Sequence, residues 1–305
     1  MNILIACVLA VAGVEAAQAA TYYVATTGSD ANLGTLAAPF KTIARGSQRL
    51  AAGDTLYIRA GTYNENMIHG VYGFTMKNGT SKSAMTRFAA YPGEKVIVKP
   101  LARAQGQTNH VLWFSRRTEY IEVRGLILDG SNIKIFWDVW DMSYTTVKFD
   151  GSYTENLWAK NNRLVGNELR YGGGVLGGGG NEIIGNWIHH SFVYGVYTGF
   201  DNGLLEDNLI EDNDGFGLHL FQQDHLVNGW VIRNNIFRRN GGNYHPKYPP
   251  YNGNLRPLPG VILSRGENDF YNNLVYDNPY GGVYVSLGAR NVLVANNTVY
   301  GNDKY

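Results

Sequence analysis

The sequence predicts an all-β protein built as a parallel β-helix, a solenoid in which short strands stack coil upon coil. The first observation is composition: 38 of the 305 residues are Gly and 21 are Tyr, against only 9 Pro, which is typical of many tight turns. The second is an Asn that recurs at solenoid spacing. The third is the alternation of apolar and polar residues that follows each of these Asn, which indicates strands and not helices.

The repeat begins near residue 163 and defines the predicted coils. Its recurring Asn are Asn167, Asn186, Asn208, Asn235, Asn273 and Asn297, each followed five positions later by a turn residue. Successive spacings of 19, 22, 27, 38 and 24 residues fit coils with insertions. Because equivalent residues of adjacent coils lie about 4.8 Å apart, we predict a structural ladder of hydrogen-bonded Asn amides, with the Asn in left-handed backbone conformation.

The first 19 residues are predicted to be a signal peptide. Residues 2–14 are apolar, and Ala17-Gln18-Ala19 fits a cleavage site. The apolar run is too short to span a bilayer comfortably. We therefore expect a secreted or periplasmic protein whose only Cys is removed. Residues 20–305 are expected to form a single β-helix domain. The chain stops just after a ladder residue, without a cap, so we expect either a C-terminal truncation or a last coil covered by something else.

The N-terminal part predicts one short helix followed by the first coils. Thr21 to Val24 reads as a strand, and Phe40, Ile43 and Leu50 lie at roughly helical spacing. Solenoids need caps over their terminal cores, so we predict an N-terminal capping helix here. The segments TLYIRAG, TRFAAYPG, KVIVKP, HVLWFS and YIEVRGLILDG follow as strands. Residues 131–162 and 241–259 interrupt the period and are expected to be loops.

The N-terminal segments also resemble a known group. TYYVATTGSDANLGTLAAPFKTIARGSQRLAAGDTLYIRAGTYNEN, YPGEKVIVKP and YIEVRGLILDGSN are similar to the exported right-handed parallel β-helix proteins of the pectate-lyase-like superfamily. The resemblance spans nearly the whole mature chain and implies a right-handed parallel β-helix. It also implies a polysaccharide lyase, glycoside hydrolase or epimerase activity, or none, because one fold hosts many functions.

The catalytic patterns of that superfamily have no clear match here. Pectate lyase 9-type enzymes resemble one another in a Lys base and a calcium-binding Asp cluster, whereas no Lys occurs between Lys160 and Lys247. The Lys-Arg pair of chondroitinase B-type enzymes and the Asp-Pro-His motif of alginate epimerases are not found either.

One set of strands aligns well enough to predict a binding face. In GVYTGFD, GLHLFQQ, GVILSR and GVYVS the second residue should point inward and the third outward. The outward residues are then Tyr197, His219, Ile262 and Tyr284. Such an aromatic row suits a sugar chain, because rings pack on pyranose C–H faces while their polar tips form hydrogen bonds. The alternative is a solvent-facing row without a ligand.

His219 is the first candidate for a general base or acid, since its ordinary pKa suits proton transfer near neutral pH. Tyr197 is the candidate partner acid or base. Arg265, from the next coil, would neutralise a substrate carboxylate, which β-elimination on a uronate requires. Tyr284, Gln223 and His225 are candidate substrate-binding residues. The alternative for His219 is a hydrogen bond within its own ladder.

Hydrolysis by two carboxylates is the second chemistry that the sequence allows. Asp201 and Asp224 fall near the same place in adjacent coils, so their carboxyl groups are expected at about 5 Å or farther apart. That range includes the separation used by retaining glycosidases and approaches the separation used by inverting ones.

Several other polar or aromatic residues have two interpretations. Asp207, Asp212 and Asp214 lie in an acid-rich turn that would suit Ca²⁺ or would simply be solvated. His189 and His190 are expected to face opposite ways on a strand and to be structural. Trp137 and Trp140 lie in the 131–162 interruption, where they either form a wall of the substrate groove or bury that loop on the coils.

The sequence as a whole predicts a secreted carbohydrate-active enzyme, most simply a lyase acting on an acidic, uronate-containing polymer. A glycoside hydrolase and a non-catalytic carbohydrate-binding or cell-surface β-helix are the alternatives. A formal net charge of +1 gives no bulk attraction to nucleic acid or to anionic membranes. We expect a monomer with a polysaccharide partner, and Ca²⁺ is the candidate cofactor.

Overall fold

The computed structural model describes residues 18–101, 109–133, 144–152, 155, 157–242 and 258–302. The predicted signal peptide lies outside the described residues apart from Gln18 and Ala19. Trp137 and Trp140 also lie outside them.

The described chain winds through three parallel sheets, and each complete coil contributes one strand to each sheet. Sheet 1 has ten strands: β1 Thr21–Val24, β2 Thr55–Ile58, β5 Thr86–Ala90, β8 Ile121–Arg124, β13 Arg163–Val165, β16 Glu182–Ile184, β19 Leu204–Glu206, β22 Val231–Arg233, β25 Asp269–Tyr271 and β28 Leu293–Ala295. Sheet 2 has nine: β3 Gly61–Asn64, β6 Val96–Lys99, β9 Ile127–Asp129, β14 Glu168–Arg170, β17 Trp187–His189, β20 Leu209–Glu211, β23 Ile236–Arg238, β26 Leu274–Tyr276 and β29 Thr298–Tyr300. Sheet 3 has eight: β4 Met67–Ile68, β7 Leu112–Phe114, β10 Val147–Phe149, β15 Val175–Leu176, β18 Val196–Thr198, β21 Leu218–Leu220, β24 Val261–Gly266 and β27 Val283–Ala289. The prediction of an all-β fold with parallel sheets is confirmed.

The core follows from the short strands and their alternation. On sheets 1 and 2 the middle residue of a three-residue strand points inward, so Leu164, Ile183 and Leu205 stack in register on sheet 1 and are fully buried. Burying such a side chain contributes about 1.5–3 kcal/mol. On sheet 3 the first and third residues of a strand point inward instead. The three sheets together enclose one continuous apolar interior, which stabilises the fold without disulfides.

The Asn ladder has its predicted bonds, but the left-handed residue is a different one. Asn186 Oδ1 accepts hydrogen bonds from the backbone N–H and the amide of Asn167, at 2.9 and 3.1 Å. The positive φ belongs to the residue before each ladder Asn, as in Asp207 (φ 56°) before Asn208 and Asn234 (φ 58°) before Asn235. That residue makes the sharp turn, which aims the following Asn side chain into the ladder.

The N-terminal segment contains a five-residue helix, α1 Ile43–Ser47, whose N-cap is Thr42. Phe40 and Ile43 are fully buried. Gly46 lies so close to Leu56 and Val24 that an added Cβ would be within 2.8 Å of both. The helix is therefore packed directly against the first coil.

The interruption at 131–162 is not only a loop. Its described parts include β10, which pairs with β7 and β15 in sheet 3, and a small antiparallel hairpin of β11 Gly151–Ser152 and β12 Leu157–Trp158. A short 3-10 helix spans Gly130–Asn132. The expectation of a pure loop was wrong because β10 has no ladder Asn of its own to mark it.

Two further features concern the surface of the described chain. Val294 and Val299 occupy core-type positions in the last coil, yet they are 48% and 50% exposed. Within the described ranges, no helix is both long enough and apolar enough to cross a membrane.

Candidate functional site

The outer face of sheet 3 brings the predicted row into register. Tyr197 pairs with His219, His219 with Ile262, and Ile262 with Tyr284. The four side chains are covered to different degrees. Tyr197 is half-buried and His219 is only 9% exposed, whereas Tyr284 is 56% exposed. The row is thus a packed cluster in its middle and an open aromatic surface at one end.

A second hydrophobic cluster, separate from the interior, covers the middle of the row. Its buried members are Leu176, Tyr194, Phe216 and Ile262. Tyr194 and Phe216 come from the turns that lead into β18 and β21, and they fold back over the outer face of the sheet. The interpretation of the row as a bare solvent face therefore does not apply at His219.

His219 lies in an aromatic cage. Its ring centroid is 5.1 Å from that of Tyr197, 4.7 Å from that of Phe216 and 5.3 Å from that of Phe221. Burial in these apolar surroundings disfavours the charged imidazolium and lowers the pKa of His219 to about 4. The imidazole is neutral at pH 7, with one N–H and one free lone pair. Neither ring nitrogen has a hydrogen-bond partner among the described residues.

Arg265 and Ser264 lie on the next strand, β24. The pairing of β24 with β27 shifts register between Ser264 and Gly266, and Arg265 has a φ of 54°. This bulge aims Arg265 over Phe221, with the guanidinium carbon 5.4 Å from the ring centroid. Arg265 Nε and Ser264 Oγ are buried and have no hydrogen-bond partner in the described part of the chain.

Tyr197 complements His219 in protonation. Burial raises the pKa of its hydroxyl above the ordinary tyrosine value. Tyr197 is therefore fully protonated at neutral pH and can donate a proton, while neutral His219 can accept one. Sheet 3 thus places a proton acceptor, a proton donor and a cation on neighbouring strands.

The other predicted residues of this region have separate positions. Asp201 Oδ1 accepts the backbone N–H of Asn228 at 2.8 Å, and His225 Nε2 is 2.8 Å from the Gly199 carbonyl oxygen. Gln223 and Asp224 are exposed. No described contact joins the carboxylates of Asp201 and Asp224, and Asp201 holds the loop that follows β21.

The acid-rich turn is held by arginines. Asp212 pairs with Arg239 at 2.6 Å, and Glu206 pairs with Arg233 at 2.6 Å. Asp207 is exposed at a left-handed turn position, and the Asp214 backbone N–H bonds to the Ser191 carbonyl. Across the residues that the structure describes, no group of three or more His, Cys, Asp and Glu side chains could hold a metal ion.

Sequence reasoning missed two residues on this sheet. Lys148 on β10 and Trp113 on β7 are neighbours in register and belong to the same outward row as Tyr197. Lys148 Nζ is 4.8 Å from the Trp113 ring centroid and 3.7 Å from Asp150 Oδ1. The alternation in TTVKFD would have revealed Lys148, had this segment been assigned to a strand.

Comparison with known proteins establishes the family. The family described as "Pel9A-like, right handed beta helix region" matches residues 22–241, which is more than half of the chain. The chain belongs to the Pel9A-like right-handed β-helix family. The uncharacterized protein YwoF of Bacillus subtilis (strain 168) is 28% identical over 299 residues, covering 92% of this chain and 56% of that protein. The chain thus spans little more than half the length of this relative.

Solved structures share the fold of this Pel9A-like chain. Pectate lyase Pel9A has a TM-score of 0.58 at 17% identity, over 94% of this chain and 78% of that one. XylC in complex with xylose has a TM-score of 0.53 at 15% identity, over 92% and 62%. The GH136 lacto-N-biosidase from Eubacterium ramulus has a TM-score of 0.53 at 13% identity, over 92% and 68%. These similarities support a pectate-lyase-like parallel β-helix, as the N-terminal segments indicated.

Proposed function

We propose that the chain is an exported carbohydrate-active enzyme that binds a polysaccharide on the outer face of sheet 3 and cleaves a uronate-containing polymer by β-elimination. One observation carries the proposal. Among the residues that the structure describes, both ring nitrogens of His219, Ser264 Oγ and Arg265 Nε are buried without hydrogen-bond partners, on adjacent strands. Buried polar atoms are normally paired, so such a set favours a ligand that brings donors and acceptors of its own.

The residues have complementary roles in the proposed elimination. The unprotonated nitrogen of His219 takes the proton from the carbon next to the uronate carboxylate. That electron pair forms a carbon–carbon double bond as the adjacent glycosidic C–O bond breaks. The departing oxygen takes the hydroxyl proton of Tyr197, which then recovers a proton from His219 or solvent. Arg265 stabilises the charge on the carboxylate, which makes the abstracted proton more acidic.

The fold relatives support a carbohydrate substrate. They include a pectate lyase, a lacto-N-biosidase and a protein with bound xylose. Since one fold hosts many functions, the choice of lyase over hydrolase depends on His219 and Arg265 and not on these relatives. We further propose export after Ala19, a monomer in solution, and a capping role for α1, which packs on Val24 and Leu56.

The test is cleavage of a panel of acidic and neutral polysaccharides by the purified chain starting at Ala20, with calcium or with chelator. Elimination produces both new reducing ends and the ultraviolet absorbance of an unsaturated uronate. We expect both signals, and a loss of about 10²–10⁴-fold in kcat/KM for His219→Gln, as for removal of a general base. His69→Gln is the matched control, because exposed His69 follows β4, five strands from β21 in sheet 3.

Each other outcome contradicts a stated part of the proposal. Reducing ends without absorbance would replace elimination by hydrolysis and direct mutagenesis to Asp201 and Asp224. Unchanged kcat/KM in a folded His219→Gln variant would remove the residue from the mechanism. Absence of both signals across the panel would favour a carbohydrate-binding protein without catalysis.

A further inference from the structure

A second aromatic cluster lies on sheet 2, away from the site on sheet 3. We define the Trp187 cluster as Tyr171, Trp187, His189 and His190, on and just after strands β14 and β17. The sequence predicts that His189 and His190 face opposite ways, but the structure places them on the same side. Their Nδ1 atoms are 2.7 Å apart, because the φ of 52° at His190 breaks the strand alternation and returns its side chain to the same side.

The two aromatic rings of the cluster are exposed and held in place. The Trp187 ring stacks on His189, with centroids 4.0 Å apart and an interplanar angle of 23°. Its Nε1–H donates to Glu211 Oε1 at 2.8 Å, yet the side chain is 41% exposed. Tyr171, one coil earlier, is 39% exposed, with its ring 5.7 Å from that of His190. Both rings are therefore already oriented for a ligand that stacks on them.

The charges around the cluster are paired within the protein. Arg170 binds Asp129 at 2.8 Å and Glu168 at 2.6 Å. Arg239 binds Glu211 and Asp212, each at 2.6 Å. Arg238 also binds Glu211, and Lys99 lies 3.7 Å from Asp129. Four basic side chains thus face four carboxylates, so this surface favours a ligand that carries no net charge.

We propose that the Trp187 cluster is a binding site for a neutral saccharide chain, distinct from the site on sheet 3. Trp187 pairs in register with Glu168, and Tyr171 is three residues beyond Glu168. Both rings lie near His189, with centroid distances of 4.0 Å for Trp187 and 6.3 Å for Tyr171. The two rings are therefore neighbours on adjacent coils, where one saccharide chain can contact both. Aromatic faces pack on pyranose C–H groups, and exposed His190 offers polar atoms to the hydroxyl groups.

The test is affinity electrophoresis of the full chain in native gels containing xylan, galactomannan or mixed-linkage β-glucan, followed by titration with oligosaccharides of the polymer that retards it. We expect retardation by at least one polymer, at least ten-fold weaker binding in Trp187→Ala, and weaker binding in Tyr171→Ala. The corresponding monosaccharide should bind at least ten-fold more weakly than a tetrasaccharide. Trp187→Phe should retain part of the affinity, because it keeps an aromatic face.

The control variants separate this site from general damage and from the site on sheet 3. Tyr300→Ala removes another exposed aromatic side chain of sheet 2, 53% exposed and stacked on Tyr276, and should bind as the wild type does. His219→Gln should also bind normally, so failure of the proposed elimination leaves this test intact. Absence of retardation in every neutral gel, or equal retardation of folded Trp187→Ala and wild type, would overturn the proposal.

Discussion

At the scale of single residues, the burial of His219 links protonation to folding. Its pKa is about 4 in the folded chain, against an ordinary 6.5. Between these values the unfolded chain binds a proton that the folded chain does not, so the free energy of unfolding falls as the pH is lowered. This contribution of His219 to the free energy of unfolding is fully present above pH 6.5 and is lost by pH 4, and it totals about 3 kcal/mol.

Urea unfolding of the wild type and of His219→Gln at pH 7 and pH 4 checks this prediction. The wild type should lose more stability between the two pH values than the variant, by about 3 kcal/mol. Burial also lowers the pKa of His189, but this residue is present in both proteins and cancels in the difference. Equal losses would show that folding does not lower the pKa of His219.

The sequence predicted which residues share the row on sheet 3 but not how they are covered. Alternation from the inward Val196 and Leu218 is enough to place Tyr197 and His219 side by side. The cage around His219 depends on Tyr194 and Phe216, which come from turns where alternation does not apply. The position of Arg265 depends on a bulge, which has no signal in a single sequence. Side-chain register was therefore predictable here, whereas burial and protonation were not.

At the scale of elements, the Asn ladder is a cooperative part of the fold. Asn208 is 1% exposed. Its amide donates to the carbonyls of Ile183 and Glu206, each at 2.8 Å, and its Oδ1 accepts from the backbone N–H of Asn186 at 2.9 Å. Removing the side chain leaves several buried groups unpaired, and each costs about 1–3 kcal/mol. We predict that Asn208→Ala lowers the free energy of unfolding by about 3 kcal/mol or more.

Asn297 provides the matched control for this prediction. It occupies the same ladder position but is partly exposed, so water replaces some of the bonds that Ala would remove. Asn297→Ala should cost clearly less than Asn208→Ala in the same denaturant titration. Equal costs for the two variants would contradict the argument that burial sets the strength of the ladder.

The ladder also explains which elements the sequence could and could not reveal. Coils with an Asn at each turn were recognisable because the bond pattern requires that residue at that place. β10 was missed because its segment carries the hydrophobic alternation without the Asn. Lys148, which lies on β10, was therefore not predicted either, although it belongs to the same outward row as Tyr197. A strand that has the hydrophobic alternation but no ladder Asn cannot be distinguished from an insertion by its sequence.

At the scale of the whole molecule, the spacing of the repeat predicted the solenoid without any detail of the coils. A solenoid is stabilised by contacts between neighbouring coils, so its stability varies along its axis. The core positions Leu205 and Ile210 are fully buried, whereas Val294 and Val299 in the last coil are about half exposed, at 48% and 50%. The first coil differs from the last, because Phe40 and Ile43 are buried beside fully buried Val24.

This difference predicts a gradient of backbone protection in the 305-residue chain. Amides of β28 and β29 should exchange hydrogen about ten-fold or more faster than those of β19 and β20, because opening an end coil breaks contacts on only one side. β1 and β2 should resemble the central strands, since α1 packs against them. Hydrogen exchange followed by mass spectrometry of peptides from these three regions measures the gradient. Equal protection at β28 and β19 would mean that the solenoid opens as one unit, and fast exchange at β2 would mean that α1 does not protect the first coil.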